Sequence, residues 1–378
     1  MAKKTLLFLG LIILVAIVIG LTWGWPKILQ QEPQTIKIGV IGPLSGEVAF
    51  YGAELRNGAQ LAAAQLNEEQ NRYYYELVSF DDEADSSIAR QRAEEMVENR
   101  EILAVIGPAF SVPTLSAGEV FQKAKLPAIS PSATSPKVTF LGDFIFRVCP
   151  SDSYNGKSLG EFVVQDLGFH KIAILWDETH AAYSGELADA FTQRTEQLGA
   201  VVIKRLSYQS GQTDFLSLLQ DVKEAEPEVI VLTGYASEAA FIVQQARNMG
   251  WNIPFVGGDG LHVNELIEKG GEAVEGVKMT TFFSSDNPDP RVQDFVSSFR
   301  KRYGMDPGWA AAHSYDAMRL INQAIEKNGP SREGIQKALA ETRNFQGITG
   351  LINFDENGDV IKDVIKVEVK GGAFKVLF

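Results

Sequence analysis

Small polar and aromatic residues are concentrated in the loops that follow the predicted β-strands of this chain. In the first half of the sequence, GPAFSVPT (107–114) and PSATSP (131–136) combine hydroxyl groups with small residues. In the second half, GGDG (257–260) places a carboxylate, Asp259, between glycines. Hydroxyls and free N–H groups at helix starts can hold a carboxylate, and an acid can hold an ammonium group. These loops therefore predict a site for a small zwitterion with aromatic walls around its apolar part.

Strand and helix signals alternate along the chain, which is typical of parallel α/β sheets. Parallel strands joined by helices bring their carboxyl ends to one sheet edge, where ligands of such folds bind. We therefore expect the polar loops to meet. The predicted strands are 36–41, 75–80, 102–106, 127–130, 171–176, 200–204, 228–233 and 254–257, and the predicted helices are 52–70, 86–99, 186–198, 215–225 and 238–249.

The order of elements repeats after residue 170, which predicts two similar lobes. ILAVIGPAFS (102–111) resembles EVIVLTGYAS (228–237), and LPAIS (126–130) resembles IPFVGG (253–258). This is a weak internal duplication and not an array of short repeats. The predicted fold class is α/β, with two doubly wound parallel sheets.

The composition is that of an acidic globular protein. The chain has 378 residues, 45% of them hydrophobic, and a formal net charge of −13, so two domains are expected and long disorder is not. An acidic body without a basic stripe excludes a nucleic-acid partner. The single cysteine, Cys149, excludes an internal disulfide and a multi-cysteine metal site, and is typical of a small buried hydrophobe.

The first 26 residues are predicted to export the chain. Lys3 and Lys4 precede eighteen almost uniformly apolar residues (6–23), which as a helix would span roughly 27 Å, close to the hydrocarbon thickness of a bilayer. We favour an uncleaved signal-anchor over 1–26, which would tie the protein to the inner (cell) membrane through a transmembrane helix. The alternative is a cleaved signal peptide. The polar stretch 27–35 is interpreted as a linker.

No catalytic or metal-binding pattern is found. None of the four histidines lies in an H-E-x-x-H motif, and no G-x-S-x-G elbow or G-x-x-x-x-G-K phosphate loop appears. The acidic run 81–83 is interpreted as a solvated strand end, since calcium needs more oxygen ligands at set spacing. We therefore predict that the chain is not an enzyme and uses no cofactor or metal.

From Ile36 onward the chain resembles the periplasmic substrate-binding proteins of branched-chain amino-acid ABC transporters, the leucine-binding-protein family with the type I periplasmic-binding fold. The resemblance implies a monomer outside the cytoplasm that captures a branched-chain or other neutral amino acid and delivers it to ABC transporter permease subunits. The motifs that carry it are IGPLSGEVAFYG (41–52), SFDDEAD (79–85), AVIGPAFS (104–111), LPAISPSATSP (126–136) and FDENGD (354–359).

The resemblance also implies ligand-binding roles for individual polar positions. Ser111 matches the serine that binds the ligand carboxylate, and Thr134 matches a threonine that contacts both carboxylate and ammonium. Ser132 matches a position that reaches the ligand through its backbone carbonyl. Ala133 lies between Ser132 and Thr134. Asp259 matches an acid that pairs with the ammonium.

Four aromatic positions are expected around the ligand. Tyr51, Tyr183 and Tyr235 match aromatic positions of the family's pocket. Phe110 departs from the pattern, because the leucine-binding branch has smaller or aliphatic residues there. We therefore expect Phe110 to reshape the side-chain pocket.

The resemblance implies a clamshell with a hinge of three crossings, near residues 151, 283 and 350. Two other functions of the same fold remain open: binding of an amide or urea-like solute, and ligand sensing as a receptor ectodomain. The expected first lobe is 36–151 with 283–350, and the expected second lobe is 152–282 with 351–378.

Overall fold

The computed structural model describes residues 33–69, 72–360 and 362–377, and it contains two large sheets with helices on their faces. The first sheet has five parallel strands in the order β2-β1-β3-β4-β5. These strands are β1 (Gln34–Gly42), β2 (Tyr73–Asp81), β3 (Ile102–Ile106), β4 (Ala128–Ser130) and β5 (Ile145–Arg147).

The second sheet has seven strands, and five of them run parallel. These five are β6 (Lys171–Asp177), β7 (Val201–Tyr208), β8 (Val229–Leu232), β9 (Phe255–Gly257) and β10 (Lys278–Thr281). A separate two-stranded hairpin follows, β11 (Phe345–Gly347) and β12 (Gly350–Ile352). The sheet is completed by β13 (Ile365–Val369) and β14 (Phe374–Val376), which give the order β14-β13-β10-β9-β8-β6-β7.

The prediction of a purely parallel second sheet is therefore incomplete. Strand β13 pairs antiparallel with both β10 and β14. The reversal between β13 and β14 passes through Gly371 and Gly372, whose φ angles of 62° and 68° lie in the left-handed region that glycine adopts without steric cost.

Eleven α-helices are found among the described residues, and most cover the faces of the two sheets. Asp85 caps the start of the helix over residues 86–98, because its carboxylate accepts hydrogen bonds from the N–H groups of Ser87 and Ile88. The helices are α1 (Ala49–Glu69), α2 (Ser86–Glu98), α3 (Ser111–Lys123), α4 (Asp152–Glu161), α5 (Ser184–Gln197), α6 (Leu216–Glu224), α7 (Ala236–Asn248), α8 (Asn264–Gly270), α9 (Pro290–Tyr303), α10 (Trp309–Asn328) and α11 (Arg332–Ala340).

The first lobe consists of the first sheet with α1–α3 and the late helices α9–α11. Buried residues of β1, such as Ile38, share one apolar core with Phe295 of α9 and Ile321 of α10. Helices α1 and α10 approach closely at Gly58, where an added Cβ would lie 2.0 Å from the Ala311 carbonyl oxygen. The helices over residues 290–340 thus complete the lobe that the N-terminal part of the chain begins.

The second lobe consists of the second sheet with α4–α8. Its core includes Leu175, Ile230 and Phe255, which are almost fully buried. Two rings of the first lobe, Tyr51 and Phe110, belong to the same apolar cluster. The two lobes are therefore packed together through aromatic side chains at the carboxyl ends of their strands.

The predictions for 1–26 and for most of the linker 27–35 lie outside the described residues. Within the ranges that the structure describes, no helix combines the length and the apolar character that crossing a bilayer requires.

Candidate ligand-binding site

Eight of the nine predicted ligand-binding residues line one cavity between the lobes. Its side chains nearly fill it, and the free volume of about 10 Å³ has room for about one water molecule. Ala109 and Trp309 complete its walls. The eight predicted residues are Tyr51, Phe110, Ser111, Ser132, Thr134, Tyr183, Tyr235 and Asp259.

Ala133 is the predicted residue that does not line the cavity. Its side chain is buried in the apolar core beneath α3, with Ala117 and Phe121. Its N–H group donates to Ser130 Oγ at 3.1 Å, and its carbonyl accepts from Arg147 Nη1 at 3.3 Å. Ala133 therefore supports the segment between its two neighbours and does not face a ligand.

The first lobe contributes hydroxyl groups and a helix start to the cavity. Ser111 opens α3, whose first N–H groups have no partner within the helix and can hold an anion. Ser111 Oγ accepts a hydrogen bond from Ser135 N–H at 3.1 Å, and Ser132 Oγ donates to the Ala109 carbonyl at 2.8 Å. The two polar loops of this lobe are thus joined to each other.

The second lobe contributes Asp259, which is 2% exposed. Asn155 Nδ2 donates to its Oδ1 at 2.7 Å, and the Tyr183 hydroxyl lies 3.4 Å from the same oxygen. Burial raises the pKa of Asp259 to about 7, although these hydrogen bonds oppose the rise. A positive group bound beside Asp259 would favour its ionised form.

Aromatic rings from both lobes form the wall around these polar groups. The ring of Phe110 lies 5.2 Å from the rings of Tyr51 and of Tyr235, measured between centroids. Tyr183 stacks on Tyr235 at 5.0 Å. The Tyr51 hydroxyl donates to the Gly260 carbonyl of the second lobe at 3.0 Å, so this wall also joins the lobes.

The cavity region contains polar groups that the sequence reasoning missed. Asp152 and Asn155, at the start of α4, are fully buried. Both carboxylate oxygens of Asp152, Asn155 Oδ1 and Trp309 Nε1 have no hydrogen-bond partner among the described residues. Burial, followed by the nearby charge of Asp259, raises the pKa of Asp152 well above its usual range. Two carboxyl groups and an amide therefore offer acceptors near the cavity.

Asp152 and Asn155 follow the end of β5. They therefore lie beyond the carboxyl end of a parallel strand, as the other loops of the site do. The sequence gives no strand signal at β5, which ends in the charged residue Arg147, so the loop after β5 is not predicted to join the site. Trp309 follows no strand, and no signal in the sequence relates it to the cavity.

Cys149 lies outside the cavity lining and is fully buried, as expected for a small hydrophobe. Burial raises the pKa of its thiol, so the sulfur is not a reactive thiolate. Within the described ranges, no cluster of three or more His, Cys, Asp or Glu side chains could hold a metal ion.

Two α/β lobes that face each other across one cavity define a two-lobed solute-binding protein. The chain belongs to the periplasmic binding protein family, whose sequence profile matches residues 35–373. It serves in solute transport and is not an enzyme.

Several relatives of this chain are known. The leucine-, isoleucine-, valine-, threonine- and alanine-binding protein of Pseudomonas aeruginosa is 30% identical, over 90% of this chain and 94% of that protein. The crystal structure of a leucine-binding protein from Thermotoga maritima has a TM-score of 0.85 and 34% identity, over 91% of this chain and 98% of that chain. A Streptococcus pneumoniae branched-chain amino-acid binding protein in complex with isoleucine has a TM-score of 0.85 and 30% identity, over 91% of this chain and 99% of that chain.

Proposed function

We propose that this protein captures a neutral α-amino acid, foremost a branched-chain one, outside the cytoplasm and delivers it to the permease subunits of an ABC transporter. The observation that carries the proposal is the distribution of charge across the cavity. Hydroxyls and a helix start lie on one lobe and a buried carboxylate, Asp259, lies on the other. A solute with separated negative and positive ends matches this distribution.

The ligand carboxylate is assigned to the first lobe. The hydroxyls of Ser111 and Thr134 line the cavity there, next to the first turn of α3. Ser132 donates its own hydroxyl hydrogen to the Ala109 carbonyl and offers its backbone carbonyl to the ligand. The ligand ammonium is assigned to Asp259, with Asp152 and Asn155 close by as further acceptors. An ammonium group has three N–H donors, which suits several acceptors at one place.

The ligand side chain is assigned to the aromatic wall. Tyr51, Phe110 and Tyr235 offer apolar surface, and Trp309 closes another side of the cavity. The Pseudomonas aeruginosa relative is named for five neutral amino acids, and the Streptococcus pneumoniae structure holds isoleucine, which supports the same ligand class here. Phe110 then sets which neutral side chains fit best.

The lobes are proposed to close over the ligand about three connecting segments. We keep the crossings near 151 and 283. We put the third after Val360 and before Ile365, because Phe354 and Val360 pack into the first core while β13 belongs to the second sheet. The first lobe is then 36–151 with 283–360, and the second is 152–282 with 365–377.

The protein is further proposed to act as a monomer at the outer face of the inner membrane, held there by residues 1–26 as a signal-anchor. Lys3 and Lys4 before the apolar run 6–23 support this orientation. Membrane fractionation of the full chain, with immunodetection at its native size, would check it, and a soluble shortened product would contradict it.

A thermal-shift screen tests the ligand class directly. Purified protein is melted with each of the twenty amino acids, with urea and with short amides. A ligand at a hundred times its Kd stabilises the folded state by about 2.7 kcal/mol. We expect the largest shift from a branched-chain or other neutral amino acid. Stabilisation by urea or an amide alone would contradict the proposal.

A further inference from the structure

Arg147, at the end of β5, is the largest side chain without exposed surface among the described residues. Its Nε and Nη2 donate to Asp359 Oδ1 and Oδ2 at 3.0 and 2.5 Å. This is the bidentate arrangement that a guanidinium and a carboxylate favour. A buried guanidinium without a partner is strongly unfavourable, so Arg147 depends on Asp359.

The third guanidinium nitrogen points to the predicted ligand-binding segment. Arg147 Nη1 donates to the carbonyls of Ser135 at 2.7 Å and of Ala133 at 3.3 Å. Those two carbonyls flank Thr134, whose own carbonyl accepts from Asp152 N–H at 2.8 Å. Three successive carbonyls are therefore held in place around one residue that lines the cavity.

Asp359 is itself held by the FDENGD turn (354–359), a motif for which the proposed function gives no role. Phe354 and Val360 form an antiparallel bridge at its base and are buried in the first core. Asp355 Oδ1 accepts from Asp359 N–H at 2.9 Å, and the Gly358 carbonyl accepts from Arg147 N–H at 3.0 Å. The turn is thus attached to β5 through its backbone before its carboxylate pairs with the guanidinium.

We infer that Asp359 and Arg147 are positioning residues for the ligand site, and that the FDENGD turn serves to fix segment 133–135. Neither residue lines the cavity. Their effect on affinity passes through Thr134, and through Ser135 N–H, which donates to Ser111 Oγ. The inference rests on the proposed amino-acid site. The groups of a binding site must be held to within about 0.5 Å of the geometry that binds, so loss of the pair should be measurable as a weaker Kd.

The first test compares Asp359→Asn with a matched control by calorimetric titration of L-leucine and L-isoleucine. Asp359→Asn keeps the side-chain shape but removes the charge, and we expect Kd to weaken by roughly tenfold to a hundredfold. Asp359→Glu keeps a carboxylate and should retain most of the affinity. The control, Glu69→Gln, breaks another bidentate pair, Arg319–Glu69 at 2.8 Å, on an exposed part of the first lobe and should leave Kd unchanged.

The second test does not depend on the ligand. Hydrogen exchange of Ala133, Ser135 and Asp152 amides is followed in ligand-free protein, and Asp359→Asn should accelerate it while remote strands such as β8 are unaffected. If the unsubstituted protein binds no amino acid, the proposed function fails and the exchange result still decides this inference. If Asp359→Asn does not fold, Arg147→Lys takes its place, since lysine keeps the charge but cannot reach both carbonyls. The inference would be overturned if Asp359→Asn left hydrogen exchange at these amides unchanged and bound the amino acids no more weakly than Glu69→Gln.

Discussion

The two lobes contribute to the cavity in different ways. On the first lobe, the hydroxyls of Ser111 and Ser132 are already engaged in hydrogen bonds between loops, and segment 133–135 is held by Arg147. On the second lobe, Asp259 is buried with a pKa raised to about 7, and Asp152 nearby has both oxygens without a partner among the described residues. The cavity surface of the first lobe is therefore held in place before a ligand arrives. The cavity surface of the second lobe is stabilised most when a positive charge enters the cavity.

This difference indicates an order of events. A rigid, hydrogen-bonded first surface can bind a carboxylate without rearrangement, which keeps the entropy cost of docking low. The second surface is stabilised only in the closed form, where the ammonium pairs with Asp259 in a medium of lower dielectric constant. A ligand shifts the open–closed equilibrium by its differential affinity for the closed form, so the second lobe provides the closing force.

The largest effect is expected for Asp259→Ala. An ammonium left without its partner in a closed cleft should cost about 3 kcal/mol or more, over a hundredfold in Kd, as measured by calorimetry. At pH 8 the melting temperature of the ligand-free variant should not fall, because an ionised buried carboxylate has been removed. Normal affinity would show that the second lobe does not hold the positive end.

A smaller loss is expected for Thr134→Val, which keeps the side-chain shape but removes the hydroxyl. Loss of a hydrogen bond to a charged group costs roughly 1.5–3 kcal/mol of binding free energy. Because the backbone of Thr134 is held by its neighbours, hydrogen exchange around it should stay unchanged. Weakened binding with altered exchange would mean that the first lobe is less rigid than the comparison requires.

Phe110→Ala should change which amino acids bind more than whether they bind. Its ring packs against the rings of both Tyr51 and Tyr235, 5.2 Å from each between centroids, so its removal enlarges the side-chain end of the cavity. We expect larger neutral side chains to gain about 1–3 kcal/mol relative to smaller ones, in competition titrations across the twenty amino acids. An unchanged selectivity profile would assign Phe110 to the core.

The smallest effect is the dependence of affinity on pH. The pKa of Asp259 is raised to about 7 by burial, and the ammonium requires the ionised form. Affinity should therefore be constant above pH 7 and fall by at most about tenfold per pH unit below it, as a proton must be displaced. Titrations in buffers of different ionisation enthalpy should detect proton release on binding near pH 6. Asp259→Asn should reduce the pH dependence to the part that Asp152 contributes, and a pH-independent parent protein would contradict the assignment.

Much of the fold follows from the sequence because β-branched runs and helical periodicity dominate its first 257 residues. Every predicted strand and helix is present, with ends that differ by four residues at most. The antiparallel pair β13–β14 was not predicted, since it depends on a glycine turn and on a free sheet edge that only the tertiary structure provides. The helices α9–α11 were not predicted as elements, although the resemblance placed their segment, 283–350, in the first lobe.

The candidate site was predictable wherever a clear strand preceded the loop. Ser111 and Thr134 follow β3 and β4, and Asp259 follows β9. The rule that ligands bind beyond the carboxyl ends of parallel strands therefore identified their loops. Asp152 and Asn155 were missed because β5 ends in the charged residue Arg147 and gives no strand signal. Arg147 and Asp359 could not be paired from the sequence, since 212 positions separate them.

The rings of Tyr51 and Phe110 belong to the apolar core of the opposite lobe, which has a calorimetric consequence. Opening the cleft must hydrate aromatic surface that is dry in the closed form, and hydration of such surface raises the heat capacity. Amino-acid binding that closes the cleft should therefore carry a negative heat-capacity change larger than burial of the small solute alone would give, so its enthalpy should become more favourable as temperature rises.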